Sequence, residues 1–158
     1  MDKTSRDRAL KLWVVLNRAF AAVAEHSRAD IQRSGLSSME FAALEALYHK
    51  GPLLIGGLQE KVLMSSGGMT YVVDQLEKKG LVERRPCAED RRARYVALTE
   101  EGQALMDSRF PKHAEQIERA LAGLDAAQQD TATHLLRKLG QAAAALPTGP
   151  RKAGSAGI

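Results

Sequence analysis

The chain has 158 residues, a formal net charge of +4 and a single cysteine. That length suits one compact domain, or one domain plus an arm that docks on something else. One cysteine excludes an internal disulfide and suits a reducing cytoplasm; no apolar run is long enough to span a membrane; and the start, MDKTSRDRALK, is charged and helical, unlike a secretory signal.

Aromatic residues make up 4% of the chain, so the core must be built from Leu, Val and Ala, which fits packed helices better than a sandwich. From about Ser5 to Arg33 the pattern is one long helix carrying Leu10, Trp13, Val14, Phe20, Ala24 and Ile31, ending before Gly35. At roughly 40 Å it overreaches a small lobe and is expected to pack against a second subunit. Ser37 to Glu40 is a capping box that opens a helix to about Tyr48, which Gly51-Pro52 ends. Ile55 to Leu63 reads as a short helix. The turn at Met64–Ser66 leads to another, so the pair has the helix-turn-helix arrangement.

Ser65 or Ser66 can cap that second helix, whose apolar positions Met69, Val72, Val73 and Leu76 face a core. Thr70, Tyr71, Asp74, Gln75 and Lys78 face the other way. Gly67 and Gly68 let backbone approach a phosphate or base edge. Lys78, Lys79 and Gly80 suit the helix end. Leu81 to Arg85 then runs extended, Pro86 to Ala93 is a polar loop, and Arg94 to Leu98 returns as a second strand with Val96 and Leu98 on one face.

Thr99 can cap the next long helix, to about Leu121, with Glu100 and Glu101 at its positive end. That helix carries Leu105, Phe110, Ile117 and Leu121, and Pro111 inside it is expected to kink it. Asp125 and Gln128 form a second capping box, for a final helix through Leu135, Leu136, Leu139 and Leu146. Residues 147–158 read as a loose tail. The first helix and the last two are apolar beyond what the helix-turn-helix lobe can cover, which implies a helical dimerisation layer. A two-fold dimer would present two such helices to a pseudo-palindromic duplex, with half-sites about 10 bp apart.

The basic excess is concentrated. Arg84, Arg85, Arg91, Arg92 and Arg94 crowd one hairpin, and a polyanion is the simplest partner that relieves their repulsion. The alternative for such a run alone is a solvated turn. Beside a helix with a polar outer face it points to double-stranded DNA, with the helix in a major groove and the hairpin tip at a neighbouring minor groove. Arg91, Arg94, Arg84 and Lys78 are candidate phosphate contacts. Ser66, Thr70 and Gln75 are candidate base or phosphate contacts. Tyr71 can stack on a sugar or reach a phosphate; its alternative is a ring packed beneath the wing.

Ser66-Gly67, Thr70, Leu76-Glu77-Lys78-Lys79-Gly80-Leu81-Val82, Arg84, Asp90-Arg91-Arg92, Leu98-Thr99 and Gly102 resemble the signature of the MarR family of winged helix-turn-helix regulators. The resemblance runs more loosely from about Leu10 to Leu146. YHKGP, SGGMTYVVDQLEKKGLVER and FPKH look most like the branch associated with hydroquinone and catechol stress. It implies a mainly α fold: a winged helix-turn-helix lobe with a two-stranded wing, about 36–98, plus dimerisation helices, about 5–33 and 99–146, within one domain over 1–146.

The resemblance also implies site residues. Asp90 and Arg92 match the family's wing-tip pair, the acid orienting the arginine into the minor groove; the alternative is a surface ion pair. Small phenolic ligands bind many members between the lobes. Here Trp13, Asn17 and Phe20 share a face of the first helix, and Phe41 and Tyr48 lie on the next; ordinary core packing is the alternative. Cys87, flanked by arginines that favour a thiolate, is a candidate redox thiol. The peroxide-sensing branch carries its thiol near the start of the first helix, where this chain has none.

The four histidines, His26, His49, His113 and His134, have no close ligand spacing, so no metal or other cofactor is expected. No H-E-x-x-H, G-x-S-x-G or P-loop pattern occurs, and no enzyme is expected. The sequence therefore predicts a homodimeric, cytoplasmic transcription regulator, most simply a repressor released by a small phenolic or quinone-like ligand. A thiol sensor using Cys87 and a non-specific architectural DNA-binding protein are the alternatives.

Overall fold

Local capping sets the first helix boundaries. In the computed structural model, which describes residues 3–62, 66–87, 90 and 92–147, helix α1 spans Lys3–Gln32 and α2 spans Ser38–Lys50. The Ser37 hydroxyl accepts from the Glu40 N–H at 3.2 Å, and the Glu40 carboxylate accepts from the Ser37 N–H at 2.7 Å. Two of the backbone donors left open at the start of α2 are thus satisfied. Strand β1 (Leu53–Leu54), α3 (Ile55–Val62), α4 (Ser66–Lys78), β2 (Val82–Pro86), β3 (Arg94–Leu98), α5 (Glu100–Leu121) and α6 (Ala126–Ala144) follow.

The chain divides into two compact units, one through Ala120 and one from Leu121 onward. In the first unit the core is aliphatic, as the composition requires. Leu44, Leu47, Leu58, Met69, Val73, Leu76, Val96 and Met106 are fully buried. They come from α2, α3, α4, β3 and α5, so the helix-turn-helix and the wing share one core. Four of the α4 apolar positions, Met69, Val72, Val73 and Leu76, all point into it, which is the helical spacing acting as expected.

The sheet is larger than the two-stranded wing expected. β1 adds a third strand, in the antiparallel order β1-β3-β2, with Leu53 opposite Val96 and Leu54 opposite Tyr95. Two residues are too short for an alternating pattern, and the pairing is long-range. β2 runs one residue further than expected, because Pro86 still pairs with Arg94 at the sheet edge, where a missing N–H costs no ladder bond.

Gly80, at φ +72°, takes the left-handed position after α4. The chain there is pinned to the start of α5. The Thr99 hydroxyl donates to the Gly80 carbonyl at 2.6 Å and accepts from the Gly102 N–H at 3.0 Å, while the Thr99 N–H donates to the Leu81 carbonyl at 3.2 Å. Pro111 lies inside α5.

In the second unit, the Asp125 carboxylate accepts from the Gln128 N–H at 2.9 Å and Gln128 returns the bond at 3.0 Å, so the second capping box forms. α6 is shorter than expected: it ends at Ala144, and Leu146 lies past its C-cap Ala145. Residues 148–158, most of the expected tail, lie outside the described residues, as do the candidates Ser65 and Arg91. No helix among the described residues is long and apolar enough to cross a membrane.

Candidate nucleic-acid interface

With its apolar stripe buried, α4 presents the opposite side outward. Thr70, Tyr71 and Lys78 are exposed, and Asp74 and Gln75 are half-buried. Tyr71 is 65% exposed, so its ring is not packed beneath the wing and is available to a partner. Ser66 and Gly67 form the first turn of α4, where backbone N–H groups lack intrahelical acceptors and an anion is favoured.

The wing tip is closed by backbone geometry. The Cys87 N–H donates to the Ala93 carbonyl at 3.4 Å and the Ala93 N–H to the Asp90 carbonyl at 3.1 Å. The Asp90 carboxylate accepts from the backbone N–H of Arg92 at 2.8 Å. This corrects the expected pairing: the acid holds the arginine's main chain and shapes the turn, leaving the exposed Arg92 side chain its reach. The signal was the two-residue spacing, which suits an Asx turn as well as an ion pair.

Arg84 departs further from expectation. Its guanidinium is held by Asp74 Oδ1 at 2.6 Å and by Glu77 Oε2. The Asp74 hydrogen bond raises the Arg84 pKa; partial burial opposes this, and the Glu77 and Asp74 charges reinforce it. Arg85 Nε donates to the Glu83 carboxylate at 2.6 Å. Two of the five hairpin arginines are therefore neutralised within the chain, and the wing is less electropositive than the arginine run suggested. Arg94 donates to the Ala93 carbonyl at 3.0 Å and has further partners. Cys87 is buried, so it lacks the exposure a reactive thiol needs.

A second polar tie lay beyond sequence reasoning. Lys79, just past α4, reaches the Glu40 carboxylate at 2.8 Å and the Gly35 carbonyl at 3.2 Å. Glu40 is 6% exposed. Burial pushes its carboxyl up, but the Lys79 hydrogen bond, the Ser37 bonds and the Lys79 charge together hold it below the usual value. The end of α4 is thereby tied to the α1–α2 turn. His113 of α5 meets the Asp30 carboxylate of α1 at 3.1 Å, with its ring 4.6 Å from that of Phe41.

The candidate ligand residues are not brought together. Trp13 and Phe20 are 63% and 73% exposed on α1, and Asn17 is exposed, donating to the Trp13 carbonyl at 2.7 Å. Phe41, by contrast, is a core residue at 2% exposure. It lies on the inward stripe of α2 with Leu44, so it packs and does not line a cleft. Tyr48 is half-buried against Phe110, at a ring separation of 5.6 Å. A hydrogen bond to Asp107 raises its phenol pKa, with burial and the Asp107 charge adding to it. No group of three His, Cys, Asp or Glu side chains among the described residues is placed to hold a metal.

Comparison with known proteins agrees with this architecture. The sequence profile described as the MarR family matches residues 36–93, from the α1–α2 turn to the wing tip. The chain is 38% identical to the HTH-type transcriptional regulator MhqR of Bacillus subtilis over 134 residues, 85% of this chain and 92% of that protein. It is 40% identical to the regulator YkoM of the same organism, covering 85% and 87% of the two chains. Among solved structures it resembles Bordetella bronchiseptica BpsR, described with a mechanism for regulation of DNA binding by 6-hydroxynicotinic acid. The TM-score there is 0.73 and the identity 27%, over 82% of this chain and 98% of that one. The fold also matches Streptomyces coelicolor Sco3205 in complex with DNA, at TM-score 0.79 and 22% identity, over 89% and 90% of the two chains.

Proposed function

This chain belongs to the MarR family of winged helix-turn-helix, DNA-binding transcription regulators, and from that premise we propose that it acts as a homodimeric repressor of a pseudo-palindromic operator, released by small phenolic or quinone-like ligands. The observation that carries the proposal is the exposed apolar surface of α1. Leu10, Leu12, Trp13, Val14, Val15 and Phe20 are each at least 43% exposed. A helix left apolar on more than one side needs a partner. α6, described by itself, is similar, with Leu135, Leu136 and Leu139 at 58%, 49% and 41%. A second copy would cover such surfaces and supply the second recognition helix that a two-fold operator needs.

Each recognition unit would offer Ser66, Gly67, Thr70, Tyr71, Gln75 and Lys78 of α4 to a major groove. Arg92, on a turn shaped by Asp90, would enter the minor groove, with Arg91 and Arg94 on phosphates. The ligand class follows the resemblance to the hydroquinone and catechol branch, and BpsR supplies a precedent in which an aromatic acid regulates DNA binding. Trp13, Asn17, Phe20 and Tyr48 are its candidate contacts, assembled when α1 gains its partner. A ligand shifts DNA binding only if it prefers the dimer shape whose helices are wrongly spaced. A coupling of about 1–3 kcal/mol changes operator affinity some 5–150-fold.

The experiment is a titration of the protein–DNA complex with catechol, salicylate and a benzoquinone, using duplex from the chain's own upstream region. Release of DNA by at least one of them supports the reading. Undiminished binding with all three removes the ligand-controlled part of it.

A further inference from the structure

We propose that Arg84 is a positioning residue for DNA recognition: by holding Asp74 and Glu77 it locks the wing to the recognition helix, and it does not contact phosphate. The proposal rests on the reading that α4 and the wing bind DNA. Arg84 stands on β2 opposite Val96 of β3, which is buried in the core. From there its guanidinium spans Asp74 Oδ1, at 2.6 Å, and Glu77 Oε2, about one helical turn apart on α4. The cation is the most covered of the three, its side chain 24% exposed against 45% and 40% for the two acids. It is wedged between strand and helix.

Two consequences follow from that placement. The first is geometric. A recognition helix and a wing tip must meet neighbouring grooves at a fixed separation, and β2 runs from Arg84 toward the side of the wing where Asp90 and Arg92 lie. A tie between Arg84 and α4 fixes the angle at which that tip leaves the helix. The planar guanidinium serves because it can bond two carboxylates at once; an ammonium is a single point charge on a flexible stem. The second is electrostatic. Asp74 and Glu77 flank Lys78 and Gln75 on a helix that meets a polyanion, and uncompensated they would repel phosphate. Arg84 cancels them from behind while leaving the face of α4 to the DNA. The geometric effect acts on how well one particular duplex fits, whereas the electrostatic one acts on any duplex alike, so the ratio of the two affinities reports the first.

The test compares affinity for duplex from the chain's own upstream region with affinity for random duplex of equal length, in wild type, Arg84→Lys and Asp74→Asn. The proposal predicts that both variants keep wild-type helicity and that their preference for the upstream over the random duplex falls about tenfold, the size of a charge-assisted hydrogen bond, whatever the change in affinity common to both duplexes. A phosphate contact predicts the opposite pattern: Arg84→Lys stays near wild type on both, since a lysine also binds phosphate, and Asp74→Asn tightens both by removing a negative charge. That pattern overturns the proposal. Should Asp74→Asn not fold, Glu77→Gln reads the same ratio. Wild-type protein that binds neither duplex, or binds both equally, overturns the underlying DNA reading and the proposal with it, a result distinct from a change confined to the variants.

Discussion

The Cα of Gly102 lies against the carbonyl of Leu81, so closely that a Cβ built on it would stand 2.0 Å from that oxygen. This contact joins the first turn of α5 to the exit of the recognition helix, beside the bonds that Thr99 makes to Gly80 and Leu81. Gly102 matters here because only a missing side chain permits the approach. Gly102→Ala would gain helix propensity but must push a backbone carbonyl aside. It should destabilise the protein by about 3 kcal/mol, the upper range for overpacking, read as a fall in the urea midpoint. An unchanged or raised midpoint would mean the two segments are not in contact.

Glu40 sets an acid limit on stability. Its folded pKa lies below its ordinary value of 4.5. A carboxylate so depressed stabilises the fold fully above that ordinary value, and the contribution is lost as pH falls through the lower, folded value. Glu40→Gln should therefore cost about 2 kcal/mol at neutral pH, the scale of a charged hydrogen bond, and much less in strong acid. Urea unfolding of both proteins at pH 7 and pH 3 checks this. A cost independent of pH would show that the Lys79 ion pair contributes nothing.

The wing tip yields a graded pair of variants. Arg92→Ala should weaken binding to the upstream duplex by about 1–3 kcal/mol, as for one good base contact. Asp90→Ala should act in the same direction and less, since the acid shapes the turn through the Arg92 N–H at 2.8 Å and the arginine itself remains. Wild-type affinity in both variants would show that the tip does not reach DNA.

The sensor question separates at Cys87 and α1. Trp13→Ala or Phe20→Ala should blunt release by phenols, measured against each variant's own ligand-free DNA affinity, and Cys87→Ser should leave quinone-induced release intact, because the thiol is buried. Anisotropy titrations of the three variants decide it. A Cys87→Ser protein that binds DNA but ignores a quinone would make the thiol the sensor and the aromatic site wrong.

What was legible in the sequence was local. The Ser37–Glu40 and Asp125–Gln128 boxes each close over three residues, and the apolar spacing of α4 repeats within one helix, so pattern alone suffices. What was not legible depends on chain segments far apart. β1 exists only through its pairing with Tyr95 and Val96. Arg84 looks like any exposed arginine until the hairpin folds it onto Asp74 and Glu77. Phe41 and Trp13 are both aromatic positions on helices, yet one is buried under α5 beside His113 and the other stands open on α1; helical periodicity does not say which neighbour covers which face. The Gly102 glycine carried its own signal, as a residue without a side chain next to a cap, but not the identity of what it touches.

The most direct test is the stoichiometry and selectivity of one binding reaction: light scattering of the complex with duplex from the chain's own upstream region, with affinities for that duplex and for random duplex measured at the same salt. Two protomers per duplex and a specificity ratio of at least about 10³ are predicted. One protomer per duplex, or equal affinity for both sequences, would contradict the account.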